Sequence, residues 1–372
     1  MLFMIGSAAA QINPNPNYNS GAEGRPSFLG ISGGNYNSLT ATSCCAGTLG
    51  ALVQDAKGHD FVLSTNTVLA RVSTSTGSSK AQAGEKIVQP GLVETGCFQD
   101  PGDGIGTLTR WVPLNFGLHN NNSVDAAIAR VQPGMLNGDI FNIGPISSSI
   151  VPADELPIGY YVQKMGRTTC LTEGQIDGID ATGKVAYTNN SCRTMGAGNA
   201  NFSHQVLISP TSTGGLFATT TGGASDSGAL VLTEESCPRA IGMIFASTAN
   251  GITVINPIAK VLKALKVELV GGCVNGDTST LKAGDQTDAA AAEQAALRAS
   301  IEVVRAVKDR HEQELLALDD VAGTAIGRGD NGGQAAMLVL VKKDTAEIRA
   351  KIPAQIEGVP VKIIASGEFQ AL

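Results

Sequence analysis

Gly222-Gly223-Ala224-Ser225-Asp226-Ser227-Gly228-Ala229 is the stretch that decides the fold. It lies between two short apolar runs, Gln205-Val206-Leu207-Ile208 and Ala229-Leu230-Val231-Leu232, which read as strands. Small residues around a serine let the backbone approach a carbonyl carbon closely. They also let the N–H groups of Ser225 and Ser227 converge on an oxygen that becomes negative. Taken alone, Ser-Asp-Ser-Gly is an ordinary turn more often than an active site.

Outward from this loop the same short pattern repeats over residues 45–270. Residues 48–53 and 61–64 read as strands around a turn at Gly58. Residues 124–129 form a compact apolar segment with one acid, Asp125. The stretch 161–167 alternates, and 171–179 runs toward a turn at 180–183. Residues 241–245 and 252–255 make a hairpin-like pair, followed by a short helix over 257–265. Many strands at near-regular spacing with almost no helix predict a β-barrel or sandwich.

Composition agrees with this pattern. The 372 residues are 42% hydrophobic and only 16% charged, with 45 glycines, so a full-sized core excludes wholesale disorder. No run of 18 apolar residues exists to span a membrane as a helix. A net charge of -7 argues against nucleic acid as the main partner. No Cys-x-x-Cys occurs, and His59, His119, His204 and His311 are scattered without ligand spacing, so neither a metal nor any other cofactor is expected. Seven cysteines allow at most three disulfides, and Cys170 with Cys192 could staple a strand pair. Buried reduced cysteines are the alternative. Ser7-Ala8-Ala9-Ala10-Gln11 fits a small-residue cleavage site, although the positive n-region is missing and the apolar run before it is short. Residues 1–10 therefore read as a truncated signal peptide or a frayed tail, and 11–40 as an extended arm. With the cysteines this favours a secreted or periplasmic location and leaves a cytoplasmic one open.

Charge divides the chain. Residues 281–372 hold 25 of the 59 charged residues, while every cysteine and Trp111 precede them. A boundary follows near 275–288, between a β-rich domain (41–275) and a small α+β module (288–372). In the module, Leu297, Ile301, Val304, His311, Leu315 and Leu318 fall near one helical face interrupted by Lys308. Residues 321–327 and 336–341 read as strands joined through a turn at 329–333. Asp344 or Thr345 caps a short helix reaching Ile352, and 359–365 returns as a strand. The expected order is α-β-β-α-β.

The ordered set resembles the trypsin-like serine peptidase superfamily, in its bacterial branch related to the plant narrow-leaf proteins. Four stretches carry the likeness. They are Gly47-Thr48-Leu49-Gly50-Ala51-Leu52-Val53 with Phe61-Val62-Leu63-Ser64-Thr65-Asn66-Thr67; Asn122-Ser123-Val124-Asp125-Ala126-Ala127; Gln163-Lys164-Met165-Gly166-Arg167-Thr168-Thr169; and the serine loop with Ile241-Gly242-Met243-Ile244-Phe245-Ala246-Ser247. The resemblance implies a mainly β fold, a double β-barrel, followed here by the α+β module. It implies Ser227 as nucleophile, Asp125 as orienting acid, and the N–H groups of Ser225 and Ser227 as oxyanion donors. Phe245, Ala246 and Ser247 would pair with substrate backbone, and Thr221 would lie near the floor of the specificity pocket. Ser225 departs from the usual glycine. The module resembles one found with these bacterial proteins, usually ahead of the protease domain. A folding aid, an autoinhibitory lid and a partner-binding module are all open for it.

The major departure is Thr67, where the family pattern calls for histidine. A threonine hydroxyl cannot accept a proton near neutral pH and return it to a leaving amine. Loss of that base typically costs on the order of 10⁶ in kcat. The chain therefore reads as a serine endopeptidase scaffold whose hydrolysis is impaired. The alternatives are a non-catalytic, secreted peptide-binding pseudoprotease and a conditional peptidase in which a substrate histidine supplies the base. The expected partner is a protein or peptide.

Overall fold

The computed structural model describes residues 24–39, 43–72, 81–152, 155–187, 198–211, 216–221, 224–274, 288–330 and 334–372. The signal-like segment 1–10, the arm's residues 11–23 and the boundary at 275–287 lie outside the described residues. Eight strands form one sheet in the order Glu268–Leu269, Ala51–Gln54, Asp60–Ser64, Ala127–Val131, Gly104–Trp111, Lys86–Val88, Ser32–Asn35 and Gly47–Thr48. Its strands are short and apolar, and Leu49, Val53, Phe61, Leu63, Ile105 and Ile128 share one buried cluster. Ser32–Asn35, read above as part of an arm, is a buried strand because it pairs with both Gly47–Thr48 and Lys86–Val88.

A second set of strands closes on itself. Cys170–Ala186, Tyr161–Gly166, Leu230–Thr233, Ala240–Thr248, Thr253–Pro257 and Asn199–Pro210 pair antiparallel in turn. Asn199–Pro210 then pairs back onto Cys170–Ala186. Closure leaves no open edge within this ring of six. The architecture is thus mainly β, two barrel-forming sheets with an α+β module after them. The turn expected at 180–183 is not there: Cys170–Ala186 runs through it as one strand. Register shifts on either side of Ala181 absorb the left-handed Asp180, and pairing on both edges overrides the local turn signal.

Two disulfides, Cys44–Cys97 and Cys237–Cys273, tie loops to the barrels. Cys45 is also half of a disulfide. Cys170 is not bridged and stays a thiol, so the staple between Cys170 and Cys192 is corrected. Cys170 sits at the tight turn out of Tyr161–Gly166, with Gly166, which has no side chain to bridge, as its partner in the register.

The module keeps the expected sequence of a helix over Asp288–Leu316, strands Val321–Arg328 and Ala335–Val341, a helix Ala346–Lys351 and a strand Val359–Ala365, and adds two short strands that were not expected, Gln355–Ile356 and Phe369–Ala371. Thr345 is the cap, its hydroxyl accepting from the Ile348 N–H at 3.3 Å. The module is not a separate body, however. Val321–Arg328 pairs antiparallel with Cys170–Ala186, so its sheet continues the barrel wall. Leu297, Ile301, Val304, Val307 and Leu315 bury one face of the long helix. Lys308, which interrupts that stripe, is buried too. Its Nζ lies 2.6 Å from Glu312 and 3.6 Å from Asp180 of the barrel strand, so the charge is paired across the junction.

Farther along the helix, Arg310 and His311 both meet Glu357, in the turn between Gln355–Ile356 and Val359–Ala365. Hydrogen bonds from Arg310 and then His311 hold the Glu357 carboxyl at about 2. The bond to Glu357 raises His311 above its ordinary value. Glu357's contribution is present above 4.5 and is lost as pH falls toward 2. His311's is present below 6.5 and is lost as pH rises through its raised value. Both therefore act together between about 4.5 and 6.5. Thermal melts across the pH range should show the advantage of the natural chain over Glu357→Gln largest in that window, and smaller on either side.

Candidate active site

Ser227 sits in a turn entering Leu230–Thr233, and its position is set by the residue before it. Asp226 is fully buried. Its carboxylate accepts from the N–H groups of Thr168 (2.9 Å), Thr169 (3.0 Å) and Thr219 (3.0 Å), and from the Thr169 hydroxyl (3.1 Å). Lys164, also fully buried, approaches it at 4.0 Å and donates to Thr169 Oγ1 and to the Cys170 carbonyl at 2.8 Å. Burial pushes the Lys164 ammonium pKa down, against the opposing pull of the Asp226 charge. The residue after Ser227 must be glycine. Gly228 has φ +93°, and a Cβ there would fall 2.3 Å from the Thr48 carbonyl oxygen. Gly50 faces the same crossing, its absent Cβ 2.1 Å from the Gly228 carbonyl oxygen. The serine turn is therefore clamped between the two barrels.

The structure brings Ser227 and Thr67 together. Thr67 lies in the one-turn helix Asn66–Leu69 at the end of Asp60–Ser64, and its hydroxyl is 3.2 Å from Ser227 Oγ. Thr65 completes a triangle, with its hydroxyl 2.9 Å from Ser227 Oγ and 2.7 Å from Thr67 Oγ1. All three residues are buried, Thr65 and Ser227 completely. Each hydroxyl can both donate and accept, so the triangle satisfies itself, but none is a base near neutral pH.

Asp125 precedes Ala127–Val131 and is fully buried beside the same one-turn helix. Its carboxylate accepts from the Asn66 N–H at 2.6 Å and from the Tyr187 hydroxyl at 2.7 Å. Asn256 holds its backbone from both sides, accepting from the Asp125 N–H and donating to its carbonyl, each at 3.1 Å. The acid thus anchors the backbone that carries Thr67. The histidines whose side chains are described bind carboxylates elsewhere: His59 with Asp55, His204 with Asp180, His311 with Glu357 and Glu314.

The N–H groups expected to form an oxyanion hole are both engaged within the protein. The Ser225 N–H donates to the Ala46 carbonyl oxygen at 3.1 Å, and the Ser227 N–H donates to Ser225 Oγ at 3.2 Å. A glycine at 225 would offer no such hydroxyl. Phe245, Ala246 and Ser247 lie buried in Ala240–Thr248, next to the serine turn. The link is direct, since the Gly228 N–H donates to the Ile244 carbonyl at 2.8 Å. The backbone of Thr221 pairs with Ala224, and its side chain lies outside the described residues. Among the described residues no cluster of His, Cys, Asp and Glu could hold a metal ion. No helix among them is long and apolar enough to cross a membrane.

Sequence reasoning passed over Thr65, Tyr187, Asn256 and the pairing of Asp226 with Lys164. The available signals were slight: an acid inside a glycine-flanked turn, a lysine in an alternating strand, and a tyrosine whose hydroxyl needs a partner once buried.

No family model and no curated protein matches the chain. Among solved structures it is similar to protease A of Thermobifida fusca, at 17% identity over 66% of this chain and 98% of that one, with a TM-score of 0.41. It is likewise similar to the Nocardiopsis protease, at 17% identity over 65% and 97% of the two chains, TM-score 0.40. The chymotrypsin of Cellulomonas bogoriensis follows at 15% over 60% and 91%, TM-score 0.37.

Removing the lysine that faces Asp226 leaves a buried carboxylate short of its cation. Lys164→Met is expected to cost about 3–5 kcal/mol, read as a lowered denaturation midpoint in urea. An unchanged midpoint would show that the four hydrogen bonds to Asp226 suffice without Lys164.

Proposed function

We propose that this chain is a serine-peptidase scaffold that binds extended peptides and does not hydrolyse them efficiently. The observation that carries the reading is the hydroxyl triangle. Thr67 and Thr65 both lie within 3.2 Å of Ser227 Oγ, where a proton acceptor is needed. Asp125 would orient such a base, and here its carboxylate accepts instead from the Asn66 N–H and the Tyr187 hydroxyl. The Ser227 hydroxyl therefore has no route for its proton. An oxyanion formed here would also compete with Ala46 and Ser225 Oγ for its two donors. In this reading Phe245, Ala246 and Ser247 are the peptide-pairing strand and Thr221 belongs to the pocket. The disulfides support a secreted or periplasmic setting.

The test sets the natural chain beside Thr67→His and Ser227→Ala, with a fluorophosphonate probe and casein. The natural chain is expected to give casein hydrolysis no greater than Ser227→Ala. Thr67→His restores a base and should raise hydrolysis by about 10²–10⁴-fold. Adding Ser225→Gly removes the hydroxyl that occupies the Ser227 N–H and should raise it further, by up to about 10²-fold. Strong Ser227-dependent turnover by the natural chain would overturn the reading.

A further inference from the structure

The strand assigned above to peptide pairing is already paired. After Val359–Ala365 the chain turns at Ser366 and Gly367, where both N–H groups donate to the Val341 carbonyl oxygen. It then runs as a strand, Phe369–Ala371, into the barrel. This strand lies antiparallel on Ala240–Thr248 in the register Thr248 to Phe369, Ser247 to Gln370 and Ala246 to Ala371. The next residue continues it, the Leu372 N–H donating to the Phe245 carbonyl at 2.9 Å. On its other side the segment pairs in parallel with Val185 and Ala186. Its direction carries it toward Ile244, whose carbonyl holds Gly228 of the serine turn.

We infer that residues 369–372 are an intramolecular ligand of the peptide groove, occupying it as an extended peptide and selecting, by their own fit, the class of external peptide that can replace them. This rests on the reading of Ala240–Thr248 as the peptide-binding strand. Backbone pairing supplies affinity in such strand addition, and pockets for side chains supply selectivity. Phe369 and Ala371 are buried in the cluster that holds Phe245, Ala246 and Phe202. Leu372 is buried in a different cluster, with Phe217, Ala218 and Ile244. Gln370 is half-buried. The external ligand is therefore an extended peptide with an aromatic residue, two intervening residues, and an aliphatic residue at the place of Leu372. Tethering gives the internal segment an effective concentration near the millimolar range, so a free peptide of like affinity competes poorly while it is docked.

The experiment uses the full chain, a chain lacking residues 369–372, Leu372→Asp, and Lys343→Ala, an exposed position after Ala335–Val341, as a control. The probe is an amino-terminally fluorescein-labelled Phe-Gln-Ala-Leu peptide followed by anisotropy. Hydrogen exchange of residues 366–372 is followed in parallel. In the full chain that segment is expected to exchange as slowly as the barrel strands. The truncated chain should bind the probe on the order of 10- to 100-fold more tightly than the full chain. Leu372→Asp should shift affinity in the same direction without shortening the chain, since a carboxylate is disfavoured in that apolar site. Lys343→Ala should change little. Replacing the leucine of the probe by aspartate should weaken its binding by about 10-fold or more. Fast exchange over 366–372, or equal probe affinity with and without the segment, would overturn the inference and leave peptide binding standing. A protected segment combined with no probe binding by either truncated chain or Leu372→Asp would instead remove the peptide-binding reading, and the inference with it.

Discussion

The buried carboxylate of Asp226 is the constraint on which the site depends. A charge without solvent has to be surrounded by donors, and this one collects them from the turn at Thr168 and Thr169 and the loop at Thr219, with the strand lysine Lys164 at 4.0 Å as its countercharge. Meeting that demand fixes the turn that presents Ser227. It also explains why the neighbouring glycines are needed, because the backbone of Gly228 then passes within contact of Gly50 and Thr48. The serine is placed by electrostatics and the barrel junction by sterics, and the two solutions have to coincide.

A second buried acid does a different task. Asp125 would suit a histidine on the one-turn helix, yet here it holds the backbone N–H of Asn66 and the Tyr187 hydroxyl. Beside it, the position between Asp125 and Ser227 is held by the hydroxyl of Thr67. Thr65, Thr67 and Ser227 satisfy one another, which makes the substitution comfortable for the folded state and poor for proton transfer.

The module shares its physics with the barrel rather than sitting beside it. Its first strand extends the barrel wall, its helix places Lys308 against Asp180, and Phe369–Ala371 pairs with Ala240–Thr248. Three kinds of contact, a sheet ladder, an ion pair in a buried seam and an apolar docking segment, join the two regions. Charge in the sequence marks the module as distinct, and pairing in space makes it continuous.

Much of this was legible beforehand. Alternation and turn residues located the strands around Gly58 and Ser227, and the helical stripe from Leu297 to Leu315 located the long helix, because these signals are local and periodic. The absence of histidine at 67 could be read directly. What could not be read depended on partners remote in sequence. Asp180 looks like a turn residue until strands flank it on both edges, Lys308 looks misplaced until Asp180 arrives, and Phe369-Gln370-Ala371-Leu372 looks like an unremarkable end until it meets Ala240–Thr248. Local pattern carried the type of most elements, the segments 180–183 and 32–35 excepted, and showed a threonine at 67. Only the tertiary structure decided which hydroxyls, carboxylates and strand edges satisfy one another, because buried polar groups take whatever partner folding brings within reach.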